Sequence, residues 1–311
     1  MEKPDIVVVG ELNVDLILTG LSSLPGLGQC RLSRDMHFTL GSASAIFASN
    51  IARLGMKVGF VGKVGADDLG NFILKSLNTR NIDTSRIIQD NRSKTGICVS
   101  MSYPEDYAMA SFAGVRESFT PADVDMDYVL KAKHLHMSSY YLQPGMQAGC
   151  AEMFRKAKKA GLSTSFDPDS DPSGKWDDSI FEVLEHVDIF LPNEKEALHI
   201  SRSDKISAAL NFLAKKTGTV VIKTGKSGAW AKNRDTTVHA GAFKVDTIDT
   251  TGAGDSFNSG FIYRFLRGSA LDECMLWGNA CAALSTTRLG GTDGFPDIRE
   301  VEHFLNENRT E

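Results

Sequence analysis

The chain has 311 residues, 42% apolar and 23% charged, and its 39 acids against 34 bases give a formal net charge of −5. That length buries a substantial core, as one large α/β domain or two smaller ones, and the acidic balance excludes a general nucleic-acid surface, which needs a basic excess or stripe. Five scattered cysteines without C-x-x-C spacing imply neither a disulfide framework nor a zinc site. No apolar run approaches the roughly 20 residues of a membrane span, and the start lacks a signal-peptide pattern, so a cytoplasmic protein is expected.

In chain order, short β-branched runs at 5–10, 57–64, 134–137, 163–167, 187–192 and 219–225 read as buried strands. Helical patterns lie between them at 42–54, 67–79, 144–160, 177–185, 194–199 and 204–216, and the last third is helical at 254–267, 271–287 and 297–306. This alternation predicts βαβ units: a three-layer (αβα) fold with a mostly parallel central sheet. Residues 11–40 and 86–114 break the rhythm with alternating segments and a turn at "YPEDYA". They read as antiparallel strands that form a small β-lid over the carboxyl ends of the parallel strands, where open α/β sheets bind ligands. One domain, 1–311, with this lid is the expected organisation.

"DTTGAGDSF", Asp249 to Phe257, precedes an apolar face of Phe257, Phe261 and Phe265. Gly252, Ala253 and Gly254 thus offer backbone N–H groups at a helix N-terminus, a ready phosphate site, and Asp255 falls in the first turn. A dipole-complementing carboxylate in a plain turn is the alternative reading. In "LPNEKEAL", Asn193 and Glu196 have the spacing of a capping box, and "VIKTGKSGAW" brings a strand into Gly225 and Gly228 as a hairpin turn would. Asp15, within an apolar strand run, would be costly to bury without partners and is expected to face a cleft.

These motifs resemble the ribokinase-like (PfkB) carbohydrate kinases, whose D-T-x-G-A-G-D signature and following F-x-x-G are complete from Asp249 to Gly260. The resemblance covers nearly the whole chain. It implies an ATP-dependent phosphotransferase acting on a hydroxyl of a small sugar or sugar-like acceptor. Asp255 is then the general base, with Gly252, Ala253 and Gly254 as the anion hole. Asn193 and Glu196 would organise Mg²⁺ through water; Thr224, Gly225, Gly228 and Asn279 would contact the nucleotide. Asp249, Thr251, Leu289 and Gly291 would form a monovalent-cation site, with K⁺ as the candidate. Asn13, Asp15, Gly41 and Ser42 would bind the acceptor. The family's G-G-x-x-x-N departs here to Gly41, Ser42 and Ile46, which puts an ordinary sugar such as ribose in doubt. Ser139, Tyr140, Tyr141 and Arg116 are further pocket candidates. A nucleoside kinase, with Ile46 and the tyrosines around a base, and a non-catalytic metabolite-binding relative are the competing readings. The lid's strand edges favour a homodimer.

Overall fold

The computed structural model describes residues 3–103 and 107–308. Its thirteen described strands are β1 (Ile6–Val9), β2 (Asn13–Thr19), β3 (Asp35–Leu40), β4 (Val58–Gly65), β5 (Asp83–Asp90), β6 (Gly96–Ser102), β7 (Tyr107–Phe112), β8 (His134–Met137), β9 (Ser163–Phe166), β10 (Ile189–Phe190), β11 (Thr219–Lys223), β12 (Ala229–Lys232) and β13 (Thr237–Ala240). Nine form one sheet in the order β13-β12-β11-β10-β9-β8-β1-β4-β5. From β5 to β11 the pairing is parallel, and β12 and β13 close one edge antiparallel.

The apolar strand runs have a simple cause: both faces of this sheet are covered. Ile6 and Val8 enter a core shared with the helices Ala43–Arg53, Asp68–Thr79 and Ala253–Phe265, while Val7 and Val9 enter another with Pro144–Lys159 and Ile206–Leu213. Alternate side chains of a strand reach opposite faces, so a doubly covered strand reads as continuous hydrophobicity. Among the described residues no helix is long and apolar enough to cross a membrane.

A second sheet runs β3-β2-β6-β7. It differs from expectation in two respects. Residues 86–90 belong to β5 of the large sheet, so the small sheet takes its second half from Gly96–Ser102 and Tyr107–Phe112. The two hairpin pairs are antiparallel, but they join through a parallel β2–β6 pairing. The centre of the expected turn, 104–106, lies outside the described residues. Asp15, Ile17 and Thr19 of β2 and Cys98 and Ser100 of β6 look into a cavity of about 650 Å³ between this sheet and the loops at 248–251 and 289–293.

Candidate active site

The segments after β1 (Glu11) and β9 (Asp167, Asp169) and the end of β11 (Lys223) bring charged groups to Asp255 in the first turn of the helix Ala253–Phe265. Gly252 caps that helix at φ 70°, and a Cβ there would lie 2.9 Å from Gly291 Cα. Both the left-handed conformation and the close approach require glycine. The Ala253 N–H donates to Thr250 O at 3.2 Å and the Ser256 N–H to Gly252 O at 2.8 Å. The N–H groups of Gly254 and Asp255 remain at the open end of the helix. A Cβ on Gly254 would sit 3.5 Å from Lys223 Nζ, so the small residues hold a buried ammonium against the turn.

Asp255 is 9% exposed. Burial drives its pKa well above the ordinary value; Asp167, Asp169 and Glu11 add to the rise, and Lys223 opposes it. Lys223 is the cation of this cluster. Its Nζ donates to Asp167 Oδ2 at 2.6 Å and to Asn258 Oδ1 at 3.3 Å, and Asn258 Nδ2 donates to the same Asp167 oxygen at 2.6 Å. Burial pulls Lys223 down, but Asp167, Glu196 and Asp255 outweigh it and hold the ammonium above its usual value.

Asn193 and Glu196 join this cluster because Asn193 bridges Lys223 beside β11. Both halves of the capping box form: the Glu196 N–H donates to Asn193 Oδ1 at 2.9 Å, and the Asn193 N–H to Glu196 Oε2 at 2.8 Å. Glu196 is nonetheless buried, and burial together with Asp167 and Asp169 pushes it to about 8 against Lys223. Glu11, one residue beyond the glycine that follows β1, is pushed to about 7 by burial against donors from Ser44 and Ser139. Ser139 Oγ lies 2.9 Å from both Glu11 Oε1 and Asp169 Oδ2. A hydroxyl donates one proton, so it serves one of these two carboxyls at a time; burial raises both, and repulsion from Asp169 adds to the rise of Glu11. Glu196, Asp167 and Asp169 offer hard oxygens of the kind Mg²⁺ prefers, but among the described residues no three acids, histidines or cysteines are grouped closely enough to hold a metal by themselves, so water or phosphate would have to complete its shell.

In β2, Asn13 Nδ2 donates to Asp15 Oδ1 at 2.9 Å. A Cβ on Gly41 would lie 2.2 Å from that oxygen, so only glycine admits the pair. Burial raises Asp15 to about 6 against the Asn13 hydrogen bond. Ser42 occupies a left-handed conformation, φ 74°, where glycine would be unstrained. Its hydroxyl compensates by donating to Glu11 O at 2.7 Å and capping the helix at the Ala45 N–H, 3.1 Å away.

Asp15, Asp249, Thr251 and Leu289 line the cavity. Asp249 takes the Thr251 N–H and the Gly290 N–H at 2.9 Å each, and Gly291 O accepts from Asn50 Nδ2 at 3.2 Å. Farther out, Thr224 N–H and Oγ1 both donate to Gly228 O, at 2.8 and 2.9 Å. Gly228, at φ 86°, admits no Cβ, which would lie 2.0 Å from Ala240 O. Asn279 Nδ2 donates to Ala240 O and Gly241 O at 3.0 Å each, fixing the same corner from the next helix.

Other expectations for the pocket change. Ile46 is absent from the cavity lining and packs instead beneath Gly252 and Gly291. Tyr140 and Tyr141 are core residues; their rings meet Phe166 and Trp176 edge-on, and their hydroxyls reach Ser179 and Asp177. Ser139 does join the site. Arg116 donates through Nη2 to Ser111 Oγ at 3.3 Å, opposite Cys98 on the cavity face of the small sheet. Its buried Nε has no hydrogen-bond partner among the described residues. Lys226 is exposed.

Sequence reasoning missed Glu11, Asp167, Asp169 and Asn258. Each had a signal: an acid just after "VVVG", two acids in "FDPD" at a strand end, and an amide three residues after Asp255.

Residues 3–298 match the family described as pfkB family carbohydrate kinase. The chain is 30% identical to the 5-dehydro-2-deoxygluconokinase of Geobacillus kaustophilus, over 99% of this chain and 96% of that one. It is 30% identical to the 2-dehydro-3-deoxygluconokinase of Bacillus subtilis, covering 87% and 88% of the two chains. Among solved structures, a putative ribokinase II from E. coli in complex with ATP and Mg²⁺ superposes with a TM-score of 0.87 at 23% identity, covering 99% of this chain and 100% of that one. Arabidopsis thaliana ribokinase complexed with ribose and ATP gives 0.86 at 23%, covering 98% and 99%. The chain belongs to the pfkB family of carbohydrate kinases.

Proposed function

We propose that the protein transfers the γ-phosphoryl group of ATP to a hydroxyl of a small sugar or sugar-like acceptor. The observation that carries this reading is Asp255, buried at the open N-terminus of a helix, beside one ammonium and several carboxyls. The acceptor hydroxyl gives its proton to the Asp255 carboxylate as its oxygen forms the bond to phosphorus and ADP leaves. A raised pKa makes Asp255 a stronger base once ionised, and Lys223 limits the rise. The Gly252–Gly254 turn stabilises charge on the migrating group, the larger part of catalysis in phosphoryl transfer. Glu196 and Asn193, with Asp167 and Asp169 nearby, would hold Mg²⁺, which neutralises phosphate charge. Thr224, Gly225, Gly228 and Asn279 are assigned to the nucleotide.

Asp15, Asn13, Gly41 and Ser42 are assigned to the acceptor, with the small sheet as a lid that excludes water. Asp249 and the carbonyls of Thr251, Leu289 and Gly291 are assigned to a monovalent cation such as K⁺, with Asn50 competing for the last. The two deoxygluconokinases above favour an acidic acceptor, and Arg116, bonded to Ser111 and outside the cavity lining, is a candidate partner for it only if the small sheet moves. A nucleoside acceptor loses its support, since Ile46 and both tyrosines are committed to packing. The unpaired outer edges of β3 and β7, beside exposed Met36 and Phe112, support a dimer through the small sheet.

An ADP-release screen over pentoses, hexoses, keto-deoxy sugar acids, inositols and nucleosides tests this. Saturable, Mg²⁺-dependent release with a polyhydroxy acid or sugar is expected. ADP release with none of them, alongside ligand-dependent thermal shifts, would overturn it in favour of a metabolite-binding protein.

A further inference from the structure

Asn50 lies one turn after Ile46 on the helix Ala43–Arg53, so the two share a face. Its Nδ2 donates to Ser256 Oγ at 3.1 Å and to Gly291 O at 3.2 Å, joining segments 206 and 241 residues away in sequence. The side chain is 1% exposed, and its Oδ1 has no hydrogen-bond partner among the described residues. A buried acceptor without a partner opposes folding, and an apolar residue of the same shape would remove that burden. What this amide contributes therefore lies on its donor side.

The surroundings say what that is. Ser256 follows Asp255 directly, and its N–H holds Gly252 O at 2.8 Å. Ile46 closes the space below: a Cβ on Gly252 would lie 3.1 Å from Ile46 Cγ2, and one on Gly291 3.0 Å from Ile46 Cδ1. The amide thus fastens both sides of the glycine turn, and the isoleucine fills the floor between them without competing for its N–H groups.

We infer that Asn50, seated with Ile46, is a positioning residue that locks the first turn of the helix Ala253–Phe265 to the Gly291 loop and so aims the Gly252–Gly254 turn at the migrating phosphoryl group. This rests on the reading of that turn as the anion hole. It also gives the departure at position 46 a physical role on the phosphoryl side rather than in acceptor recognition.

Asn50→Leu keeps the volume and deletes the donor. Its kcat is expected to fall about 10- to 100-fold, the scale of a slightly misplaced electrostatic site. The KM values for ATP and acceptor should stay within about threefold, and melting within a few degrees of wild type. Affinity for Mg²⁺–ADP–aluminium fluoride with acceptor should weaken in step with kcat, while affinity for ADP alone holds. Asn50→Asp and Ser256→Ala are assayed in parallel so that the result does not hang on one variant's folding. A folded Asn50→Leu with wild-type kcat, or a loss confined to KM, overturns the inference. Asp255→Asn, run alongside, separates the two readings: if it is dead while Asn50→Leu is fully active, only the positioning role falls.

Discussion

Replacing Lys223 by methionine removes the cation from a cluster of five carboxyls, Glu11, Asp167, Asp169, Glu196 and Asp255. The ammonium sits 2.6 Å from Asp167, and the two side chains are 12% and 7% exposed. At an effective dielectric of about 20 the gross attraction is roughly 6 kcal/mol, much of it offset by desolvation. Removing one partner of such a buried pair costs about 3–5 kcal/mol. The variant escapes by protonating a carboxyl of the cluster. That costs about 1.36 kcal/mol for each pH unit above an aspartate's ordinary value of about 3.9, hence roughly 5–6 kcal/mol at pH 8 and about 1.5 at pH 5. Relative to wild type, whose Glu11 and Glu196 are already raised, the folded variant holds one more proton that the unfolded chain releases, so the gap between them widens as pH rises. Urea unfolding of both proteins at pH 8 and pH 5 checks this. A gap of about 3–5 kcal/mol at pH 8 that shrinks below about 2 at pH 5 is expected. Equal stabilities at pH 8, or a gap independent of pH, would refute the argument.

Two further outcomes follow from the same geometry. His134 and His136 are buried in a chain of hydrogen bonds with Ser163, Ser165 and Ser138, and burial pushes His134 down to about 3 and His136 down as well. Stability from His134 is therefore complete above its unfolded value near 6.5 and lost as pH falls, by about 2 kcal/mol at pH 5; a His134→Gln variant should lack that slope in acid unfolding curves, and an unchanged slope would count against a neutral buried histidine. Ile46→Asn, which restores the usual family residue, should lower the melting temperature through an unpartnered buried amide costing about 1–3 kcal/mol and should not confer ribose turnover. Ribose turnover in that variant would show that position 46 faces the acceptor.

The sequence made the middle of the large sheet legible because its strands are covered on both faces. Its edges were not. β5, "DTSRIIQD", is half exposed, and β12 and β13 are short and alternating, so none carries a continuous apolar run. The parallel β2–β6 pairing joins residues more than 80 apart and has no local signal. The glycine turn announced itself through a contiguous motif, whereas Glu11, Asp167 and Asp169 are isolated acids whose meeting depends on strand order. Ser42 and Ile46 looked alike as departures, yet one is a strained cap beside Gly41 and the other a floor beneath the turn. Only packing distinguishes them.

Asp255, proposed as the base for phosphoryl transfer, is addressed by one variant. Asp255→Asn keeps the shape of the helix N-terminus and removes the proton acceptor. With the best acceptor from the ADP-release screen, kcat should fall by roughly 10²- to 10⁴-fold, while ATP affinity by titration calorimetry stays within a few fold. Turnover close to wild type in a folded Asp255→Asn protein would contradict the account.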